Sequence, residues 1–288
     1  MSCSMQNATK IKDVFPLEQD STSVKLPGRL ICVGTGIQLG QISVLSQSYI
    51  EIADVVFSLV TDGFAQRWLA SLNDNVQSLQ PFYAKVGELK NRRETYKQMV
   101  DEILTQVRYG KLVVCAFYGH PGVFASVGHR AIKLARDEGF ETKMLPGISA
   151  EASLWADLGI DPASVGHQSF EATQFLLYNH FPNTRSHLLL WQIALAGEHT
   201  LTHLSTTQEK LEILVAHLNQ WYSLEHSVIV YEAATLPFQQ PRIESITLAQ
   251  LPYIQLNAIS TLMIPPAEAL SLNHQILAQL GITEANIG

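Results

Sequence analysis

The chain has 288 residues, which at roughly 150 residues per domain predicts two domains or one large one. It carries 19 Lys and Arg against 26 Asp and Glu, and this acidic balance argues against a nucleic-acid partner, since phosphate binding needs clustered basic residues. Hydrophobic residues make up 47% of the chain, but no apolar run approaches the roughly 18 residues of a spanning helix, so we predict no membrane association.

The cysteines and the amino-terminal segment favour a cytoplasmic protein. Cys32 and Cys115 lie in apolar stretches and Cys3 lies in a polar one, a distribution that cannot form a disulfide framework. Residues 1–28 lack the apolar region of a secretory signal, so we predict a flexible N-terminal extension.

From residue 29 onward, short apolar strands alternate with helices. The strands are predicted at residues 29–36, within 52–63, at 111–117 and at 141–145, and the main helices at 91–109 and 126–139. This strand-helix-strand spacing predicts an α/β domain over residues 29–147.

After about residue 164 the pattern changes and strands predominate. They are predicted at residues 187–195, 227–234, 241–247 and 256–265, with one strong helix at 208–222 and a final helix at 266–280. We therefore expect a second α/β domain over 148–265 with a more mixed sheet, followed by a C-terminal helix and tail over 266–288.

Four strand ends carry glycine-rich or polar turns, and ligands of open α/β sheets bind beyond such ends. The turns are Gly34-Thr35-Gly36, Tyr118 to Phe124 (YGHPGVF), Pro146 to Ser149, and Ser260-Thr261. Taken singly, each is more simply interpreted as a structural turn. Four such turns at strand ends across two domains predict one shared ligand-binding cleft. An NAD site is disfavoured, because Leu39 stands where a dinucleotide fingerprint has its third glycine.

The ten histidines raise the question of a metal site. His199 and His203 are spaced four residues apart, but Glu198 precedes the first histidine, whereas a metalloprotease helix has its glutamate directly after it. No third ligand or paired cysteines are evident, so we predict no metal.

Residues 81–96 gather two tyrosines and two arginines in a chain that is otherwise poor in charge: Tyr83, Arg92, Arg93 and Tyr96. One interpretation is a solvated helix start in which an arginine pairs with Glu88 or Glu94. The functional interpretation makes tyrosine a proton acceptor and arginine an anion stabiliser.

The motifs VGTGI, YGHPGVF, MLPGISAE, ADLGIDP and ISTLMIPP, in this order, resemble those of the borosin peptide α-N-methyltransferases. The resemblance extends from about residue 29 to residue 281. It implies an α/β, two-domain tetrapyrrole-methylase-like fold with a cofactor cleft between the domains. It also implies that the enzyme uses S-adenosylmethionine to methylate backbone amides of a ribosomal peptide and releases S-adenosylhomocysteine.

Carried over motif by motif, the resemblance assigns site residues. The implied cofactor contacts are Gly34, Gly36, Tyr118, His120, Val123, Phe124, Ser149, Ala150, Gln192, Ser260 and Thr261. The implied catalytic residues are Tyr83, Arg92 and Tyr96, with Arg93 as an alternative to Arg92. Our hypothesis is that Tyr83, directly or through Tyr96 or a water, removes the amide proton while Arg92 stabilises the imidate oxygen. This requires a guanidinium to make the phenolate of Tyr83 accessible, since the ordinary tyrosine pKa is about 10.

The resemblance also sets an expectation for partners. Fused members of the family carry their substrate as a C-terminal extension, whereas this sequence ends at Gly288. We therefore expect the split bacterial type, in which a separate precursor peptide with leader and core is methylated in trans, and a homodimer that forms a heterotetramer with the peptide.

Two alternatives stay open at this point. The first is a tetrapyrrole (corrin precursor) C-methyltransferase, although those enzymes usually carry a proline and an acid in the first glycine loop, which here is GTGIQLG. The second is a non-catalytic peptide-binding protein that keeps the cleft.

Overall fold

The computed structural model describes residues 27–60, 63–83, 90–199 and 205–287. The chain divides into two compact units, Met1–Ser149 and Ala150–Gly288. Residues 1–26, which make up most of the predicted N-terminal extension, lie outside the described residues.

The first unit contains a five-stranded parallel sheet with the strand order β3-β2-β4-β1-β5. Its strands are β1 (Arg29–Gly34), β2 (Val55–Leu59), β3 (Val76–Ser78), β4 (Leu112–Phe117) and β5 (Glu141–Leu145). Its helices are α1 (Val44–Ile52), α2 (Gly63–Leu72), α3 (Arg92–Arg108) and α4 (Ser126–Asp137). The central strands β1 and β4 are buried almost throughout, as expected of a parallel sheet whose two faces are covered by helices.

The second unit contains a five-stranded mixed sheet with the order β6-β7-β10-β8-β9, in which only β6 and β7 are parallel. Its strands are β6 (His167–Glu171), β7 (His187–Trp191), β8 (Ser227–Glu232), β9 (Arg242–Thr247) and β10 (Thr261–Ile264). Its helices are α5 (Ala150–Leu158), α6 (Ala172–Leu177), α7 (Gln208–Leu218) and α8 (His274–Leu280). The α/β class and the more mixed second sheet agree with the sequence-based expectation.

Several element boundaries differ from the predicted ones. The final helix begins at His274 rather than at residue 266, because Asn273 caps it by accepting a hydrogen bond from the backbone N–H of Ile276. The prediction did not include strand β6 (HQSFE). This strand is mostly polar and no residue of it is fully buried, so its sequence shows no apolar pattern that would mark a strand. No helix in the described part of the chain is long and apolar enough to cross a membrane.

Candidate active site

Three of the predicted turns meet at the carboxyl edge of the first sheet. Because β1 and β4 are parallel and Gly34 pairs with Phe117, the turns that follow these strands lie side by side. Gly119 donates its N–H to the carbonyl of Gly36 at 2.9 Å, and Gly36 and Tyr118 line one small surface pocket. A β-carbon on Gly34 would lie 2.3 Å from the carbonyl oxygen of Gly119 and 2.7 Å from Cα of Gly147. Only glycine allows the three backbones to approach so closely.

The second turn is held by its own histidine. The Nδ1 atom of His120 accepts a hydrogen bond from the backbone N–H of Gly122 at 3.0 Å, which leaves the ring proton on Nε2. The backbone N–H of Val123 donates to the carbonyl of His120 at 3.2 Å. The turn thus leaves Val123 and Phe124 with 46% and 53% of their surface exposed.

The third turn leads into the second unit. Helix α5 begins at Ala150, directly after Ser149, and Glu151 lies in its first turn. Ser149 and Ala150 are both half-buried. The predicted contacts Ser149 and Ala150 therefore lie where a helix N-terminus presents backbone N–H groups.

The remaining predicted cofactor residues lie together at one edge of the second sheet. Strands β7 and β10 are antiparallel, so the end of β7 lies beside the start of β10. The backbone N–H of Ile193 donates to the carbonyl of Ser260 at 3.3 Å, which joins the residue after Gln192 to the Ser260-Thr261 turn. Ser260 is completely buried and Thr261 is 2% exposed.

Backbone strain marks two of the predicted cofactor residues. Among the described residues, Phe124 and Gln192 are the non-glycine positions with positive φ, at 52° and 57°. Such strained residues cluster at ligand-binding and catalytic sites, where the surrounding structure enforces them. The strain therefore supports a binding role for both turns, one in each unit.

The predicted catalytic tyrosines lie against each other in the first unit. Tyr83 follows a short 3-10 helix, Gln80–Phe82, and Tyr96 lies near the start of α3, where Asn91 is the N-cap. Their ring centroids are 6.4 Å apart and the ring planes are nearly perpendicular, at 89°. Both rings are partly buried against the hydrophobic core that α3 covers.

The two arginines differ in their surroundings. Arg92 is half-buried, and its positive charge acts on Tyr83 by lowering the pKa of the phenol. Arg93 is exposed and uses its backbone N–H to donate to the side chain of Asn91 at 2.8 Å. The structure therefore groups Arg92, rather than Arg93, with Tyr83 and Tyr96.

The protonation state of Tyr83 differs from the expectation. Burial is the largest cause and raises the pKa of Tyr83 well above its ordinary value, and the neighbouring phenol of Tyr96 raises this pKa further through its electrostatic effect and a hydrogen bond. The opposing effect of Arg92 is smaller. The guanidinium therefore does not make the phenolate accessible in the resting protein, and Tyr83 is a neutral phenol at neutral pH.

Lys90 was not singled out from the sequence, yet it supports this cluster. Its Nζ atom donates to the carbonyl of Phe82 at 2.6 Å and to the side-chain oxygen of Gln98 at 2.7 Å. Gln98 in turn donates to Glu94 at 3.2 Å. Glu88, which the solvated interpretation offered as an arginine partner, lies outside the described residues.

The histidine-rich segment gives no metal site within the described residues, where no group of three or more His, Cys, Asp or Glu side chains is arranged to hold an ion. Glu198 pairs with Lys210 at 3.3 Å, and His203 lies outside the described residues.

Comparison with known proteins identifies the family and the fold of the chain. The family profile of the Tetrapyrrole (Corrin/Porphyrin) Methylases matches residues 29–252. A solved diphthine synthase shares the fold, with a TM-score of 0.56 and 15% identity over 90% of this chain and 98% of that chain.

Two curated fungal relatives are much more similar in sequence. A "methyltransferase/ribosomally synthesized cyclic peptide gymnopeptides precursor" of Gymnopus fusipes is 39% identical over 92% of this chain and 64% of its own length. A "methyltransferase/ribosomally synthesized type I borosin cyclic peptide precursor" of Coprinopsis marcescibilis is 39% identical over 92% of this chain and 70% of its own length. The chain thus spans about 64% of the first of these relatives.

These relatives correct the expectation for partners. Each combines methyltransferase and precursor in one protein, so the separate precursor peptide supplied in trans, its heterotetramer and the split bacterial type are wrong. The expectation depended on where the sequence ends, which carries no information about where a precursor is encoded. The expectation of the tetrapyrrole-methylase fold is confirmed, and the expected methyltransferase agrees with the names of these relatives. With a family profile over residues 29–252 and a 39% identical relative, the chain belongs to the tetrapyrrole methylase family and, within it, to the borosin-type methyltransferases.

Proposed function

We propose that the protein uses S-adenosylmethionine to methylate backbone amide nitrogens of a ribosomally made peptide. The observation that carries this proposal is the grouping of Tyr83, Tyr96 and Arg92 in a chain related to borosin methyltransferases. The proposed cofactor residues of the first unit lie at or after the ends of β1, β4 and β5, and those of the second unit lie at the start of α5, at the end of β7 and at the start of β10.

Two features of the described residues support a site for this cofactor. Two turns are closed by glycines that leave no room for a β-carbon, and two further positions, Phe124 and Gln192, hold a strained backbone. When bound, S-adenosylmethionine supplies a methyl group that leaves its sulfonium and yields S-adenosylhomocysteine. The protein's own task is to prepare the peptide nitrogen that accepts this methyl group.

A peptide nitrogen is a poor nucleophile because its lone pair is delocalised into the carbonyl group. As the N–H proton leaves, negative charge develops on the carbonyl oxygen. Arg92 is suited to stabilise that oxygen because a guanidinium stays cationic and offers several donors in a fixed plane.

Tyr83 receives the amide proton in this proposal without first becoming a phenolate. Its raised pKa keeps the phenol neutral, and it is hydrogen-bonded to Tyr96. The oxygen of Tyr83 accepts the amide proton as its own proton passes on, directly or through Tyr96, to a solvent water. Each oxygen thus gives up one proton as it receives another, and no buried phenolate accumulates.

The test is methylation of a precursor in the fused arrangement of the relatives. Precursor segments of the Gymnopus fusipes and Coprinopsis marcescibilis relatives are joined separately to the C-terminus of this chain, and each fusion is incubated with S-adenosylmethionine carrying a deuterated methyl group. Tandem mass spectrometry should locate the label on backbone nitrogens. Label on carbon or on side chains would contradict the proposal.

The two alternatives predict other results. A tetrapyrrole C-methyltransferase would label an added corrin precursor and neither peptide. A non-catalytic peptide-binding protein would bind S-adenosylmethionine in calorimetry and label nothing. Either result would overturn peptide methylation.

The proposal also includes a cytoplasmic location, because ribosomal peptides and S-adenosylmethionine are both available there. The homodimer expected from the resemblance stays a prediction, which light scattering on the purified protein would test.

A further inference from the structure

Glu232 and Arg242 face each other at the end of the β8–β9 hairpin that the loop of residues 233–241 connects. They are cross-strand partners, at the last residue of β8 and the first of β9. Arg242 donates from one guanidinium nitrogen to Oε1 of Glu232 at 2.7 Å and to the carbonyl of Gln255 at 2.7 Å. The carboxylate is mostly enclosed, with 13% of the Glu232 side chain exposed.

The same carboxylate accepts bonds from the turn before β10. The hydroxyl of Ser260 donates to Oε1 of Glu232 at 2.6 Å, and the side-chain amide of Asn257 donates to Oε2 at 2.7 Å. Glu232 therefore ties Arg242 on β9 to two residues of the 257–260 turn.

The charge of Glu232 is maintained despite its burial. Burial alone would raise the pKa of this carboxyl, but the hydrogen bonds from Ser260, Arg242 and Asn257 outweigh it and hold the pKa below the ordinary value. Hydrogen bonds to an ionised group are roughly twice as strong as those between neutral groups. The turn is thus held by an anion rather than by a neutral acid.

The hydroxyl of Ser260 is fully oriented by these contacts. It has one proton, which it donates to Glu232, and it accepts the backbone N–H of Asn257 at 2.8 Å. The carbonyl of Ser260 accepts the N–H of Ile193, directly after the strained residue Gln192. A continuous path of hydrogen bonds therefore runs from Glu232 to both predicted cofactor turns of the second unit.

We infer that Glu232, supported by Arg242, is a positioning residue that fixes the Ser260-Thr261 and Gln192 turns for S-adenosylmethionine. This inference rests on the proposed function. Glu232 acts through Ser260, which is completely buried. Outer contacts of this kind orient the residues that touch a bound group.

The decisive variant is Glu232→Gln in the full chain. Glutamine keeps the shape of the side chain, but both carboxylate oxygens of Glu232 accept hydrogen bonds, three in all. The NH₂ group of glutamine would replace one of these oxygens and face a hydrogen-bond donor, which it cannot accept from. We expect S-adenosylmethionine and S-adenosylhomocysteine to bind about tenfold more weakly in calorimetry. Two controls should bind as the unaltered protein does: Ser227→Ala, which loses an exposed hydroxyl pair with Ser245 in the same hairpin, and Glu138→Gln, which loses an ion pair with Arg108 in the first unit.

The outcomes distinguish a failure of this inference from a failure of the proposed function. If the unaltered protein binds neither compound, the proposed function fails. If it binds both and Glu232→Gln binds them equally well, the positioning role is wrong. Should Glu232→Gln not fold, Arg242→Lys takes its place, because an ammonium group cannot reproduce the planar guanidinium that bonds Glu232 and Gln255 through one nitrogen and Glu244 through the other two. If folded Arg242→Lys binds the cofactor as tightly as the unaltered protein does, the inference is overturned. Weaker binding with an unchanged melting temperature supports it.

Discussion

Lys90 donates a hydrogen bond from Nζ to the carbonyl oxygen of Phe82, at 2.6 Å, in the peptide that leads into Tyr83. The same ammonium group bonds Gln98 on α3 at 2.7 Å, two residues after Tyr96. One cation therefore fixes the backbone beside one tyrosine to the helix that carries the other. We therefore expect the edge-to-face contact of the two rings to depend on this connection as well as on packing.

Lys90→Met should impair methylation without impairing cofactor binding. Methionine keeps much of the apolar stem but loses both hydrogen bonds, so Tyr83 loses its fixed position relative to Tyr96. We expect kcat to fall about tenfold, since positioning errors of this kind are costly. Lys97→Met, at an exposed position on the same helix, is the control. A normal kcat in Lys90→Met would show that packing alone positions Tyr83.

The two arginines should respond differently to truncation. Arg92→Ala removes the charge that acts on Tyr83, and we expect methylation to fall by about a hundredfold, as for other lost transition-state donors. Arg93→Ala removes an exposed side chain and should change the rate less than twofold. Single-turnover mass spectrometry of the peptide measures both rates. The reverse order of effects would transfer the role to Arg93.

The raised pKa of Tyr83 has a definite consequence for stability at alkaline pH. Below about pH 10, the ordinary tyrosine value, the phenol is neutral in both folded and unfolded chains and its full contribution is present. Above that pH the unfolded chain ionises first, so stability is lost as pH rises toward the folded-state pKa. Tyr222 acts in the same direction, because burial raises its pKa to about 12.

Urea unfolding between about pH 9 and 11 tests this effect. The free energy of unfolding should fall less steeply with pH in Tyr83→Phe than in the unaltered protein. Tyr109→Phe, in which the replaced ring is 66% exposed, should follow the unaltered protein. Equal slopes for all three proteins would mean that the phenol of Tyr83 is not buried in solution.

The sequence permits prediction of the strand ends because apolar runs and glycine turns mark them directly. Parallel pairing then brings the turns after β1 and β4 together, as the bridge between Gly36 and Gly119 shows. The tyrosine and arginine cluster is also readable, since Arg92 and Tyr96 share a helix face. In these cases local spacing determines which residues meet.

Other features depend on tertiary packing and could not be predicted. Lys90 donates to a backbone carbonyl, and the identity of a residue does not reveal which carbonyl its side chain will bond. Glu232 becomes significant only through its register with Arg242, although an acid at the end of an apolar strand was a visible signal. The pKa of Tyr83 follows from burial, which outweighs the nearby guanidinium. Neither the burial of one ring nor the register of two strands can be read from residue spacing.

Phe124 provides a test in which stability and binding should change in opposite directions. Its φ of 52° is strained for a residue with a β-carbon, and its ring is 53% exposed. In Phe124→Gly, relief of about 1–2 kcal/mol of strain should offset the roughly 0.5–1 kcal/mol of added chain entropy. We therefore expect an equal or higher melting temperature together with about tenfold weaker binding of S-adenosylmethionine. Phe238→Gly, at a 77% exposed position in the second unit, should leave binding unchanged. A lower melting temperature with unaltered binding in Phe124→Gly would show that this ring serves the fold rather than the ligand.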